Sequence, residues 1–243
     1  MTPELTVINS QNHLNLRVSP LPTRESAAMN AVSVIPHEFP RLLAHYPIFF
    51  IKSQESGRFE PVALLGFDQG ENLFFSNERW DVDYVPLQIM RHPFSLVRRP
   101  MAEGVPAALD LAIDMKSAQV RDDGSERLFS EDGKATKFLE ERASMMQALV
   151  TGSTEAFNFT GRLAELELLE SVQVKVEFVD RSEKKLQGLY WIAAAAVEKL
   201  TAEQLVDLRN RKYLEWMYFQ MASLAHVSGL VARKNRLISG VAR

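Results

Sequence analysis

The chain contains no cysteine. Disulfide staples, thiolate metal sites and cysteine nucleophiles are excluded together. An excess of positive charge is also missing: 28 Lys and Arg face 31 Asp and Glu, for a formal net charge of −3. That excludes an overall basic footprint for nucleic acid, and no nucleic-acid partner is expected. No apolar run is long enough to span a bilayer as a helix, which takes about 20 residues. The most apolar stretch, residues 214–224, is shorter and carries Glu215 and Gln220. The first residues show no basic segment followed by an apolar core. No secretory signal is therefore expected, and the cytoplasm is the expected location.

Site signatures are scarce as well. Neither GxGxxG nor GxxxxGK[ST] occurs, nor does the GxSxG elbow of α/β-hydrolases. The five histidines, His13, His37, His45, His92 and His226, have none of the paired spacings of a metal site. Neither a metal nor another cofactor is expected. Asp122-Asp123-Gly124 and Glu131-Asp132-Gly133 read as acidic turns, because the alternating ligands of a calcium loop are absent.

What is present suits a globular protein. With 243 residues, 46% of them hydrophobic and 24% charged, the chain can bury a substantial core. Five prolines punctuate residues 1–40, which predicts an extended arm, with one strand within 27–35. Residues 46–52, 62–67 and 73–75 are β-rich runs between Gly-containing turns, an antiparallel meander. A helix is expected to start at Pro86. Two strands follow at 94–97 and 109–114. The second alternates Leu109, Leu111 and Ile113 with Asp110, Ala112 and Asp114, so one face should be buried.

Helical spacing then takes over. One helix is expected over 137–150, ended by Gly152-Ser153-Thr154, and another over 155–169. Val172, Val174, Val176 and Phe178 alternate as a strand, paired across a turn with 186–193. Thr201 caps the next helix, and 212–236 forms a last, largely buried one. The expected fold is a single α+β domain: an arm over 1–40, a strand-rich part over 41–130 and a helix-rich part over 131–243. Its antiparallel sheet comes mainly from the N-terminal half and packs with C-terminal helices.

Two groups of residues are candidate sites. Trp80 and Tyr84, followed by Arg91, His92 and Arg98, mix aromatic faces with guanidinium forks, as sites for carboxylates or planar ligands do. The same residues also suit a core tryptophan with surface ion pairs. Between 209 and 243, Lys and Arg outnumber Glu; Arg209, Arg211 and Lys212 form one group and Arg233, Lys234, Arg236 and Arg243 another. Basic residues after a last helical turn complement the helix dipole. Alternatively Arg233, Lys234 and Arg236 face a protein partner or an anionic surface.

Several phrases, in order, resemble the bacterial SapC family. They are Phe39-Pro40-Arg41-Leu42 with Tyr46-Pro47-Ile48-Phe49, Ala63-Leu64-Leu65-Gly66, Gly70-Glu71-Asn72-Leu73-Phe74, and Trp80 with Tyr84-Val85-Pro86 and Pro93-Phe94. Leu163-Ala164-Glu165-Leu166-Glu167-Leu168-Leu169-Glu170, Leu186-Gln187-Gly188-Leu189-Tyr190 and Lys212-Tyr213-Leu214 follow. In residues 191–197 the alanines depart from the more polar pattern of such proteins. The family takes its name from a surface-layer-associated protein and is distinct from the peptide-transport permease of the same name. The resemblance implies a neighbourhood of TonB-dependent receptors and flavin halogenase-like proteins, and it brings no catalytic motif. The expected function is a non-enzymatic accessory or binding protein of a nutrient-uptake or surface system, with a protein or small molecule as its partner. The alternatives are an enzyme with a site near Trp80, Tyr84 and Arg91, and a structural surface-layer component.

Overall fold

The computed structural model describes residues 2–99 and 108–240. In chain order its first elements are β1 (Leu5–Val7), α1 (Ser10–His13), β2 (Arg17–Val18), α2 (Arg24–Ala27) and β3 (Ala31–Ser33). A 3-10 turn (Pro36–Glu38) leads to α3 (Phe39–Leu42), β4 (Ile48–Lys52), β5 (Phe59–Leu64), β6 (Phe75–Ser76) and β7 (Arg79–Trp80). Next come α4 (Leu87–Met90), β8 (Phe94–Arg99), β9 (Ala108–Asp114), β10 (Glu126–Arg127) and α5 (Lys137–Glu165). The remainder is β11 (Leu169–Glu177), β12 (Glu183–Ile192), α6 (Ala194–Val197), α7 (Ala202–Asn210), α8 (Tyr213–Ser223) and α9 (His226–Ile238). The fold is α+β with antiparallel sheets.

Contacts within the chain gather into two compact units. One holds the residues up to Ala27 together with Leu87–Val150; the other holds Ala28–Pro86 and the residues from Thr151 onward. In the first unit, β1, β9 and β8 form an antiparallel sheet in that order, with Thr6 opposite Ile113 and Phe94 also opposite Ile113. The predicted N-terminal arm thus contributes a paired strand. β2 pairs with β10. Phe94, Ala112, Ile113, Leu128, Leu139, Met146 and Leu149 are buried. The expected alternation of β9 does not appear: the neighbours Ala112 and Ile113 are both buried, and Leu109 is 45% exposed.

In the second unit five strands form an antiparallel sheet in the order β11-β12-β4-β5-β3. The β4–β5 hairpin follows from β-branched and aromatic residues on both sides of the Gly57 turn, where φ is +66°. The third strand of the expected meander does not join it. β6 instead forms a two-residue hairpin with β7, turned through Asn77 and Glu78 at positive φ. The late hairpin β11–β12 completes the sheet. Its register shifts after Val172, and Gly188 at φ +76° sits where β12 carries the extra residue.

Helices cover this sheet. α8 lies against β12, β4 and α3. It buries Tyr213, Trp216, Met217, Gln220 and Ser223, spaced by three and four residues. Phe159 of α5 centres an aromatic cluster, with Phe39, Phe50, Tyr213 and Trp216 rings 5.2–6.4 Å away.

Two expected helix boundaries fall elsewhere. α5 runs unbroken through Gly152-Ser153-Thr154, where a stop was expected. Gly152 packs against Ile35, so the glycine serves close approach and not termination. Conversely, the expected helix over 212–236 divides at Leu224 and Ala225 into α8 and α9. The cap of α7 is as read: Thr201 Oγ1 accepts the Gln204 amide, and Gln204 Oε1 accepts the Thr201 amide.

Candidate functional site

Trp80 and Tyr84 belong to the second unit, whereas Arg91, His92 and Arg98 belong to the first. In the second unit, a partly buried chain of hydrogen bonds passes through both aromatic candidates. Trp80 Nε1 donates to Tyr46 Oη at 2.5 Å, and Tyr46 Oη donates to the Tyr84 carbonyl at 2.5 Å. Tyr84 Oη donates to Glu38 Oε1 at 2.8 Å. Glu38 Oε2 accepts the Ile35 amide at 3.0 Å. Glu38 is 2% exposed and Tyr46 is fully buried.

Each member is held by its local structure. Glu38 ends the 3-10 turn that Pro36 opens, where its carboxylate can reach back to the free Ile35 amide. Tyr46 lies just ahead of β4, and Trp80 ends β7. The Phe74 ring sits 4.4 Å from the Tyr46 ring, and the Arg233 guanidinium lies 4.3 Å over Phe74. Arg233 also donates to Asp81 Oδ2 and, at 3.3 Å, to the Leu73 carbonyl. Arg41 lies 5.6 Å over the Tyr84 ring.

Burial governs the acidity of both phenols. It pushes Tyr46 far above the usual range, against the Trp80 hydrogen bond and the Arg233 charge. It does the same to Tyr84, reinforced by the charge of the Glu38 carboxylate that accepts its hydrogen bond. Both phenols therefore stay neutral, act as fixed donors and offer no base.

In the first unit, Arg91 ties α4 to β8. Its Nε donates to Gln88 Oε1 at 2.7 Å and its Nη1 to the Phe94 carbonyl at 3.2 Å. His92 is pushed below its ordinary value by burial and then by the Arg91 charge, with Asp114 opposing. Arg98 is exposed on β8, opposite Leu109.

The basic end of the chain is not uniformly solvated. Lys234 Nζ donates to Glu71 Oε1 at 2.5 Å and to Asp68 Oδ2 at 3.0 Å, and Lys184 Nζ donates to Asp68 Oδ1 at 2.5 Å. The Arg233 and Lys234 side chains are each only 16% exposed. Arg236 is exposed, and Arg243 lies outside the described residues. Arg233 and Lys234 thus hold α9 to the 68–81 segment, where exposed bases were expected. Glu38, Tyr46, Asp81 and Arg233 were not read from the sequence as companions of Trp80 and Tyr84. Among the described residues, no three His, Asp or Glu side chains gather as a metal site would require, and no helix is long and apolar enough to cross a membrane.

The SapC family model matches residues 8–230. The chain belongs to the SapC family. No curated protein and no solved structure matches it. The second unit gathers residues from several of the SapC-like phrases between Phe39 and Pro86. Arg41 of the Phe39 phrase, Tyr46 of the next, Glu71 and Phe74 of the Gly70 phrase, and Trp80 and Tyr84 all lie in the hydrogen-bonded and stacked groups just described.

Proposed function

We propose that this SapC-family protein is a non-enzymatic accessory or binding protein of a bacterial nutrient-uptake or surface system, working in the cytoplasm. The observation that carries this is the closed chain Trp80–Tyr46–Tyr84–Glu38. Its polar groups satisfy one another, and burial keeps both phenols neutral. A general acid or base needs a pKa near the working pH, and these phenols are driven the opposite way. The cluster suits a rigid frame that presents a surface. The family resemblance directs the search for a partner toward TonB-dependent receptors and flavin halogenase-like proteins.

Native mass spectrometry of the protein purified from its own cells tests the proposal, together with fractionation of those cells. The expected result is soluble protein carrying a stoichiometric partner or an unaltered small molecule. Turnover of an added compound that is lost in Tyr84→Phe would favour the enzyme alternative. Recovery of most of the protein in the surface fraction would favour the structural one.

A further inference from the structure

Outside that cluster, the basic group at Arg209, Arg211 and Lys212 adjoins an open cleft of the second unit. The cleft has a volume of about 310 Å³, and Phe157, Gly161, Arg162, Glu165, Arg211 and Tyr213 line it. One carboxylate positions both arginines. Asp207 Oδ2 accepts Arg162 Nε at 2.9 Å, and Asp207 Oδ1 accepts Arg211 Nε at 2.7 Å. Arg211 also has a side-chain hydrogen bond with Tyr213, and its remaining Nη protons are the donors that an incoming group would meet. Arg162 Nη1 also reaches Glu165 Oε2 at 2.9 Å, a carboxylate 66% exposed at the rim. A third guanidinium, Arg58, stacks 4.1 Å over Phe157. Two guanidinium groups, Arg162 and Arg211, therefore face the two carboxylates, and both oxygens of Asp207 are occupied.

The apolar surfaces are as well placed. Tyr213 is 7% exposed and stacked on Trp216 at 5.4 Å, so its ring is a fixed surface. Phe157 is 41% exposed. Between them α5 presents bare backbone, because no heavy atom stands within 4 Å of the position a Cβ on Gly161 would take. A flat body can lie there in contact with the helix. The volume matches the lower end of small-molecule sites, about 300–1,000 Å³.

We propose that this cleft binds a small organic anion, a carboxylate or phosphate carried on a flat aromatic body. The paired guanidinium forks take the anion, which suits their planar two-point geometry. The ring lies over Gly161 between the two aromatic side chains. The site is independent of the function proposed above, since either a binding protein or an enzyme could use it.

Calorimetric titration of the full chain with phenyl phosphate, benzoate, inorganic phosphate and benzyl alcohol tests this. One of the two aromatic anions should saturate a single site, more tightly than inorganic phosphate or benzyl alcohol, and which one does so distinguishes phosphate from carboxylate. Arg211→Gln should weaken that binding by about tenfold or more, roughly the loss of one charge-assisted contact. Gly161→Leu fills the open floor and should weaken it as much while the protein still melts like the parent. Because that residue faces open space, loss of folding does not confound the second variant. Absence of saturation by both aromatic anions at millimolar concentration overturns the proposal. So does equal binding by parent and Gly161→Leu, or benzyl alcohol binding as tightly as the anions.

Discussion

A Cβ placed on Gly152 would stand 2.5 Å from Ile35 Cδ1 and 2.8 Å from Ile35 Cβ. Ile35 is 5% exposed and cannot swing into solvent. Alanine normally improves a helix interior by about 1 kcal/mol over glycine. Overpacking a filled site costs about 1–3 kcal/mol, and it should win here. Gly152→Ala should therefore lower the urea midpoint, and adding Ile35→Ala should cost less than the two separate effects combined. Strict additivity would show that the two residues do not press on each other.

Trp216 packs on Phe159, Tyr213 and His37 and is 8% exposed. Trp216→Ala should destabilise by about 3–5 kcal/mol, the usual range for emptying a buried aromatic site. A thermal melt like the parent's would remove α8 from the core.

Lys234 and Arg236 should behave differently although two positions apart. Lys234→Ala takes the ammonium from Glu71 Oε1, on a side chain 14% exposed, while Oε2 keeps the Phe67 amide, and it should cost about 1–3 kcal/mol. Arg236→Ala, on an exposed position, should stay within about 0.5 kcal/mol of the parent. Chemical denaturation of the two variants side by side decides it.

His92 gives a direction to the pH dependence. Its imidazole resists protonation in the folded chain, while the unfolded chain takes the proton near the ordinary value of 6.5. As pH falls through that value, the unfolded state binds the proton first, and stability declines until the folded imidazole is protonated too. His92→Gln should flatten this part of the melting-temperature profile. An unchanged slope would assign the decline to other groups.

Local signals reported local structure well. The β4–β5 hairpin, the β11–β12 hairpin and the Thr201 cap each depend on neighbours within a few residues, and each was legible. The Trp80 cluster was legible only in part. Its hydrogen bonds join positions 34, 38 and 46 residues apart, and neither composition nor periodicity records such pairings. Arg233 and Lys234 looked like a solvated helix end because their partners Asp81, Glu71 and Asp68 lie more than 150 residues earlier. Gly152 misled for a related reason: a glycine beside Ser and Thr is a local stop signal, and only the approach of Ile35 overrides it.

Two buried polar side chains give α8 a fixed address on the sheet. Gln220 donates to the Ile48 carbonyl at 2.8 Å and accepts the Ile192 amide at 3.2 Å; Ser223 accepts the Ile48 amide at 2.9 Å. The pairing of β4 with β12 covers Leu189 with Ile51 and Tyr190 with Phe50, so the helix takes over where that ladder stops. Apolar packing alone would let a helix slide by a turn at small cost, but these bonds are directional and a slide would strand buried donors. The helix therefore acts as a short surrogate strand. The amides of Ile48 and Ile192 should exchange with solvent only when α8 lifts, which binds two strands and one helix into a single unit of opening.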